Sequence, residues 1–296
     1  MTQMIDDDQP EVIVIAPAKK INYLNNKDML KEIHRSKNSY SEYIDPKYSD
    51  YDVIVDTLQE IFLPEVQERG KVVRAARLSV SAFEAVVASG TRTDKPKLSE
   101  FKVKPDTISV DDLVFRVLTF EHIPLAPGRK KNPKSVADSY VKLNFSPFKH
   151  YIIENGEAKE VGRSHSKKGK FSAEHGSITN KLAKMFILMV NKYAQRGNWR
   201  GYTYLDEMKG QSLLQLAQMG LQFDEAQSDN PFSYYTMSLQ NSFTRVLNLE
   251  KKNQDIRDDL LIDSGASPSF SRQLALENEI RRLREDAQES AKDDNE

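Results

Sequence analysis

Residues 230–252 place side chains suited to nucleic-acid recognition along one side of a predicted helix. At helical spacing they supply an aromatic ring, hydroxyls, amides and cations: Tyr234, Ser238, Asn241, Arg245, Asn248 and Lys252. Cations of this kind can contact phosphates, the amides and hydroxyls can contact base edges, and the ring can stack on an unpaired base. Taken alone, a polar helix face of this kind is more often simply solvated, so both interpretations stay open until the neighbouring segments are considered.

The same segment carries the signals of a helix start and of a buried stripe. Asp229 or Asn230 can cap the helix, and Pro231 suits the first helical position, where no N–H is needed. Apolar residues then recur at roughly helical spacing: Phe232, Tyr235, Leu239, Phe243, Val246 and Leu247. This spacing predicts that one face packs on a core while the polar face is exposed.

Further helices are predicted on the N-terminal side of this segment. Residues 182–193 follow the i, i+3, i+4, i+7 pattern closely, and residues 203–222 form the next helix after the break GNWRGY. Far upstream, Asn25 or Asn26 can cap a short helix over 26–37. The core positions predicted for the 203–222 helix are apolar: Leu205, Met208, Leu216 and Ala217. These helices and residues 230–252 predict a helical bundle.

Residues 39–175 differ in pattern and predict an inserted α+β module. A helix is expected over Lys71–Ser89, and residues 162–176, which are rich in Gly, Ser, Lys and His, are expected to form a loop. Runs of branched and aromatic residues, or an alternation of apolar and polar residues, predict strands at Leu113–Phe120, Tyr140–Phe145 and His150–Glu154.

The C-terminal residues predict a linker followed by a short charged helix. Residues 254–270 carry turn signals and little periodicity, whereas 271–290 place Leu276, Ile280 and Leu283 on one side of a helix. A single short apolar stripe is weakly stable alone, so this helix is either solvated or binds a partner.

Composition and charge restrict the classes of protein. The 296 residues are 39% hydrophobic, and no apolar run approaches the roughly 18 residues that a membrane helix needs. Cysteine is absent, which excludes disulfides and thiolate metal sites and fits a reducing cytoplasm. The N-terminus, MTQMIDDDQP, is acidic where a secretory signal would be basic, so we expect no such signal.

The net charge of −1 argues against a protein that coats DNA unaided, because such proteins are usually basic. Basic residues are concentrated in Arg129–Lys134 and Arg163–Lys170, whereas the first ten and last twelve residues are acidic. We therefore expect any contact with nucleic acid to be local, or to be made with the help of a partner.

Motifs of catalysis are missing from the sequence. It has no phosphate loop, no GxGxxG after a strand, no HExxH and no GxSxG. His165 and His175, with Glu174, could in principle bind a metal, and a metal-dependent nuclease is the enzyme alternative, but no ligand spacing supports it. The expectation is a protein that is not an enzyme and uses no metal or cofactor.

Residues 182–252, taken together, resemble region two of bacterial sigma factors. In that family a first helix ends in a K-Y/F-x-x-R-G turn, which Lys192–Gly197 matches. A second helix opens with an acidic-apolar pair, here Glu207–Met208, and ends in phenylalanine followed by an acidic residue, here Phe223–Asp224. The third helix opens with F-S-x-Y, matched by Phe232–Tyr235. The order of the motifs and the loop lengths agree as well.

The late-transcription sigma factors of T-even-type bacteriophages are the closer resemblance. That family carries an N-terminal Y-V/L-N-N-K-x-L-L segment, a G-Y-T turn and F-D-E followed by N-P. The corresponding residues here are Tyr23–Leu30, Gly201–Thr203, Phe223–Glu225 and Asn230–Pro231. The resemblance covers residues 21–38 and 177–255, and nothing in 39–175 takes part in it.

The resemblance implies a mainly α fold, with a helical sigma region-two bundle in the C-terminal half and an inserted α+β module. The expected divisions are a disordered tail at 1–20, an N-terminal helix packing with the sigma core at 21–38, the inserted module at 39–175, the sigma region-two helical domain at 176–255, and a linker with a charged helix at 256–296. The insertion is either a solvated decoration or carries a second role, for which basic residues 128–134 and 163–170 are the candidates.

A sigma factor of this kind would bind host core RNA polymerase and direct initiation at late promoters by recognising and melting a TATA-like −10 element. The DNA-binding residues that the resemblance implies are Phe232, Tyr234, Tyr235, Asn241, Thr244, Arg245, Asn248, Lys251 and Lys252. The core-polymerase-binding residues that it implies are Glu207, Met208, Lys209, Gln211, Gln215 and Gln218. Implied partners are the bacterial core RNA polymerase, promoter DNA, and the phage sliding clamp with its coactivator, in the cytoplasm of an infected bacterial cell.

The competing interpretation is a helical structural or adaptor protein of phage assembly that does not read DNA.

Two features also depart from the sigma pattern. The tryptophan pair of the main bacterial sigma factors is missing near Ser238 and Leu239, which leaves stacking to the aromatic residues at the start of that helix. The chain ends AKDDNE, without the apolar cluster of a clamp-docking peptide, for which Ser267–Phe270 or Leu274–Leu276 is the nearest candidate.

Overall fold

The computed structural model describes residues 24–89 and 96–293, with side chains to residue 285. The tail expected at 1–20, and Tyr23 of the family motif, lie outside these residues. Within them the chain is mainly α-helical, with an α+β part built on a five-stranded sheet. The helices are α1 (Asn26–Asn38), α2 (Pro64–Ser89), α3 (Asn180–Ala194), α4 (Leu205–Met219), α5 (Pro231–Asp263) and α6 (Phe270–Asp293).

Polar caps fix where the helices of the bundle begin. The Asn25 side chain accepts a hydrogen bond from the N–H of Asp28 at 2.7 Å, and the Thr179 hydroxyl accepts one from Leu182 at 3.2 Å. Each such cap satisfies an N–H that the first helical turn leaves free. The helices predicted over 26–37 and 182–193 are confirmed as α1 and α3. The helix predicted over 203–222 is confirmed as α4, which is shorter at both ends.

The sheet has the strand order β1-β5-β4-β3-β2. Strands β2 and β3 are parallel, and the other neighbouring pairs are antiparallel. Its strands are β1 (Ser41–Tyr43), β2 (Val53–Val55), β3 (Phe115–Leu118), β4 (Phe148–Glu154) and β5 (Glu157–Ser164). A separate hairpin follows, formed by β6 (Ser166–Lys167) and β7 (Lys170–Phe171).

Helix α2 covers one side of the sheet. Gly70 allows the close approach, because a Cβ at this position would lie 3.1 Å from a methyl group of Leu113. The buried carboxylate of Asp52, which precedes β2, accepts hydrogen bonds from Arg77 of α2 at 2.7 Å and from the N–H of Val114 at 2.8 Å. Apolar packing and this buried ion pair therefore fix the position of α2 on the sheet.

Three local predictions are wrong. Tyr140–Phe145 is not a strand, because its alternation comes from Leu143 and Phe145 entering the core from irregular backbone. Residues 254–263 are not linker but continue α5, which ends where Gly265 adopts a φ of 76°. The N–H groups of Gly265 and Ala266 there bond the carbonyls of Ile262 and Leu261, which is a Schellman cap. The expected loop at 162–176 contains the end of β5 and the hairpin β6–β7.

The helical bundle and the sheet share one hydrophobic core. Phe145 and Phe148 of the middle region pack in the same buried cluster as Met29 and Ile33 of α1 and Leu182 of α3. The sheet therefore packs directly against the bundle. No helix among the described residues is long and apolar enough to cross a bilayer.

Candidate functional site

Helix α5 begins at a doubly fixed N-terminus. The Asn230 side chain accepts a hydrogen bond from the N–H of Ser233 at 3.1 Å, and Asn26 of α1 accepts one from the N–H of Phe232 at 3.2 Å. The buried stripe predicted for this helix is present at Tyr235, Leu239, Phe243 and Val246. These contacts orient the helix about its own axis and so determine which residues reach the surface.

The exposed face of α5 carries most of the residues predicted to bind DNA. Spacings of seven, four, three and four residues align five of them in one row, which runs about 27 Å along the helix. Tyr234 lies at the start of the row and is half-buried, whereas the others are exposed. The row consists of Tyr234, Asn241, Arg245, Asn248 and Lys252, with Thr244 and Lys251 exposed in the adjacent sector.

Tyr235 and Ser238 do not belong to this face, which corrects two expectations. Tyr235 is fully buried, its hydroxyl donates to the carbonyl of Gly220 at 2.5 Å, and its ring meets Phe186 edge-on. Ser238 is buried against Met219 of α4. Position 235 lies in the centre of the apolar stripe, so its ring cannot stack on a base while the bundle is folded.

The aromatic residues open to solvent at this end of the bundle are Tyr234 and Phe232. Tyr234 packs edge-on against Phe223 and Tyr235, and partial burial raises the pKa of its hydroxyl, which stays a hydrogen-bond donor at neutral pH. Phe232, expected in the buried stripe, is instead partly exposed beside the C-terminal end of α3.

Two cations at the C-terminal end of α3, Lys192 in its last turn and Arg196 just beyond it, join Phe232, and neither was predicted to belong to the site. Lys192 and Arg196 line a cavity of about 70 Å³ together with Phe232. Arg196 also lies over the ring of Tyr193, 4.3 Å from its centroid. The K-Y-x-x-R-G motif contains both cations, one in the last turn of the helix and one in the turn that follows it. The N-terminal end of α5 is therefore flanked by positive charge.

Helix α4 exposes most of the residues predicted to bind core polymerase. Glu207, Gln211 and Gln218 are exposed, and Lys209 and Gln215 are partly exposed. The prediction that Met208 contacts core polymerase is wrong, because its side chain is fully buried in the bundle core. It forms part of the apolar side of α4 that packs against the neighbouring helices.

A groove of about 610 Å³ between α4 and α5 brings the two predicted sets together. On the α4 side, its wall contains Glu207 and Gln211, whose side chains are hydrogen-bonded at 3.0 Å, and the exposed Leu214. On the α5 side, Arg245 and the exposed Leu249 form the opposite wall. The groove thus combines amides and apolar side chains with a carboxylate on each side, Glu207 and Glu250, and the cation of Arg245.

Buried charges anchor the loop that precedes α5. Lys37 of α1 donates to the carboxylate of Glu225 at 2.5 Å and to the carbonyl of Phe223 at 2.7 Å. Burial alone would raise the pKa of the Glu225 carboxyl, but the charges of Lys37 and Arg116 lower it below its ordinary value. The carboxylate therefore stays ionised and keeps the loop fixed to α1.

Arg116 of β3 extends this cluster into the sheet. Its guanidinium lies between the rings of Tyr51 and Phe148, 3.9 and 3.8 Å from their centroids, and its Nε donates to Nε2 of His150 at 3.0 Å. Nδ1 of His150 lies 2.7 Å from the carbonyl of Tyr48. Burial first and the charge of Arg116 second lower the pKa of His150 well below its ordinary value, so the imidazole is neutral.

The histidines considered as metal ligands occupy different environments. His165 is buried against the ring of Phe145, and burial lowers its pKa to about 3. His175 is only partly buried, near Tyr40. Within the described part of the chain, no group of three or more His, Cys, Asp or Glu residues is arranged to hold a metal ion.

Each of the two basic segments has an arginine paired with a carboxylate. Arg129 pairs with Asp138 at 2.7 Å, and Arg163 pairs with Glu160 at the same distance. Lys167, Lys168 and Lys170 are exposed at the tip of the β6–β7 hairpin. Lys130, Lys131 and Lys134 of the other segment are exposed as well, so both segments present lysines to solvent.

Comparisons with known proteins found no relative: no family model, no curated protein and no solved structure matches this chain.

Proposed function

We propose that this chain is a promoter-specificity subunit that binds a bacterial core RNA polymerase and directs it to a TATA-like −10 element. The observation that carries the proposal is the exposed row on α5, in which one ring, two amides and two cations follow one helix face. The sigma region-two motifs support it, because they run in the family's order through α3, α4 and α5.

In this proposal α4 binds the polymerase and α5 binds the promoter. The exposed residues Glu207, Gln211 and Gln218 would contact a coiled coil of the polymerase's largest subunit, with the groove beside Arg245 accepting its apolar side chains. Helix α5 would capture the unpaired non-template strand. Unpairing costs a few kcal/mol per base, least at flexible TA steps, and stacking at about 1–3 kcal/mol per base offsets it.

The revised set of DNA-contacting residues omits Tyr235 and adds two cations. Phe232 and Tyr234 would stack on bases at the N-terminal end of α5, where Lys192 and Arg196 could contact the adjacent phosphates. Arg245, Lys251 and Lys252 would contact phosphates farther along the helix. A net charge of −1 is compatible with this role, because the polymerase would supply most of the phosphate contacts.

The test separates polymerase binding from promoter recognition. The full chain should co-purify with bacterial core polymerase and support run-off transcription from a promoter containing TATAAATA. Lys251→Ala with Lys252→Ala, two exposed residues outside the groove, should lower open-complex formation about tenfold while polymerase binding is retained. The control changes two exposed cations elsewhere, Lys97→Ala with Lys102→Ala. A chain that does not bind core polymerase would instead favour the adaptor interpretation.

A further inference from the structure

Helix α6 leaves an apolar stripe uncovered. Leu276, Ile280 and Leu283 follow each other at spacings of four and three residues and are 38%, 49% and 63% exposed. The described polar contacts of α6 with the rest of the chain lie at its start, where Ser269 bonds Asp258 and Arg272 pairs with Asp259 at 3.0 Å. Over the length in which the stripe lies, α6 therefore has no covering layer among the described residues.

The residue types of the stripe match a two-stranded coiled coil. Spacings of four and three correspond to the d, a and d positions of a heptad, with Leu276 and Leu283 at d and Ile280 at a. A β-branched residue at a with leucine at d favours two parallel strands. The outer f positions are Asn278 and Glu285, both polar, as expected for the solvent face of such a pair.

Charges beside the stripe select the partner. Glu279 occupies the g position and Arg284 the following e position. In a parallel, in-register pair of α6 helices, Glu279 of each chain faces Arg284 of the other, which gives two symmetric contacts. Both contacts are between opposite charges, so the sequence of α6 is complementary to itself.

We propose that two copies of this chain associate through α6 as a parallel, in-register coiled coil. The helix spans about 36 Å, enough for roughly three heptads. The interaction is a property of the free chain and does not depend on the role in transcription. A short coil of this kind forms a dimer that dissociates on dilution, which leaves the bundle available to other partners.

Site-directed cross-linking tests the geometry, because the chain contains no cysteine and a single one can be introduced. Ile280→Cys at the a position should form an intermolecular disulfide under mild oxidation, since facing a positions bring the two Cα atoms within the range that a disulfide can bridge. Glu285→Cys, on the outer face of the same helix, is the matched control and should cross-link at least tenfold more slowly. Equal rates for the two variants would overturn the proposal.

Helix direction is tested by Leu276→Cys and Leu283→Cys. In the parallel arrangement each variant cross-links to itself, and their mixture gives little of the mixed 276–283 product. A mixed product that dominates would show an antiparallel pair and overturn the proposed register.

Sedimentation velocity of the unmodified full chain over a concentration series gives an independent test. The chain should show a reversible dimer, and Ile280→Lys should be monomeric at all concentrations with an unchanged circular dichroism spectrum of the folded protein. Glu279→Arg and Arg284→Glu should each weaken the dimer by about tenfold, because each creates two like-charge contacts per dimer. An equimolar mixture of these two variants should restore it. A chain that is monomeric at every concentration would refute the dimer.

Discussion

Tyr234 and Tyr235 are neighbours in α5, yet their rings have opposite environments. Tyr235 is fully buried with its hydroxyl bonded to the carbonyl of Gly220, whereas Tyr234 reaches the surface beside Phe232. One helical residue turns the side chain by about 100°, which is enough to separate a core residue from a surface residue. The roles of two adjacent tyrosines can therefore be tested separately.

Substitution of each tyrosine should affect a different property. Tyr235→Phe leaves the buried carbonyl of Gly220 without its partner and should lower the free energy of unfolding by about 1–3 kcal/mol, with promoter recognition retained. Tyr234→Ala should change that free energy much less but reduce open-complex formation. Urea unfolding and run-off transcription measure the two effects. A loss of transcription in Tyr235→Phe at full stability would contradict the assignment.

His150 predicts how stability depends on pH. Its imidazole accepts a hydrogen bond from Arg116 and is neutral in the fold, with its pKa well below the value of about 6.5 expected for the unfolded chain. The unfolded chain therefore binds more protons than the folded one below about pH 6.5, and stability should fall as the pH decreases from there. Above that pH this contribution is complete and constant.

The pH dependence is measured by urea unfolding between pH 7.5 and pH 5. His34, His122 and His165 also have lowered pKa values and contribute to the slope in the same direction. His150→Gln should reduce the slope by about one proton, whatever its effect on absolute stability. An unchanged slope in this variant would show that His150 is already protonated in the folded protein.

At the scale of elements, the ion pair between Lys37 and Glu225 fixes α1 to the loop before α5. Glu225→Gln leaves the Lys37 ammonium buried without a counter-charge and should destabilise the fold by about 3–5 kcal/mol. Lys37→Met should cost a similar amount for the converse reason. The double variant Lys37→Met with Glu225→Leu should be more stable than either single variant, because no unpaired charge remains. If the losses of unfolding free energy in the two single variants simply add up to the loss in the double variant, the two residues are not coupled.

The elements that sequence patterns predicted well are those with a local apolar pattern of their own. Helices α1 and α3 follow from caps and apolar stripes, and β3 and β4 follow from runs of branched and aromatic residues. The extension of α5 to Asp263 was missed, because outside the bundle it has no buried stripe to mark it. The strand predicted over 140–145 failed because irregular backbone can also bury alternate residues.

The candidate site was predictable in part, for the same physical reason. The row on α5 follows from helical spacing alone, whereas the burial of Tyr235 and Met208 depends on which side of each helix meets its neighbours. The buried charge cluster of Lys37, Glu225 and Arg116 joins residues far apart in the sequence, and no local sequence pattern predicts such a contact.

At the scale of the whole molecule, the shared core predicts what a deletion would do. Removal of residues 45–170 takes Phe145 and Phe148 out of the core that contains Met29 and Ile33, and leaves Lys37 uncovered. The remaining chain should lose at least about 3 kcal/mol of unfolding free energy. Trp199, the single tryptophan, is buried in the bundle and reports its unfolding by fluorescence. An unchanged urea midpoint would show that the bundle folds independently of the sheet.

Because such a deletion disturbs the bundle, the role of the middle region is better tested at its surface. The β6–β7 hairpin turns through Lys168 and Gly169, both with positive φ. The Glu42 carboxylate accepts hydrogen bonds from the N–H of Gly169 and the hydroxyl of Ser166, both at 2.8 Å, and these bonds lower its pKa. The hairpin is therefore fixed to β1, and the backbone that carries its lysines has a fixed position relative to the sheet.

In the proposed complex, this fixed group of exposed cations would contact phosphates of DNA held by the polymerase. Changing Lys167, Lys168 and Lys170 to glutamine should weaken promoter binding by the chain with core polymerase. It should also reduce the slope of log affinity against log salt by about one for each lysine that contacts a phosphate. Fluorescence anisotropy over a range of KCl concentrations measures both effects. The matched control changes three exposed lysines of the same region, at 97, 102 and 104. Equal slopes for the two triple variants would mean that the hairpin lysines are only solvated.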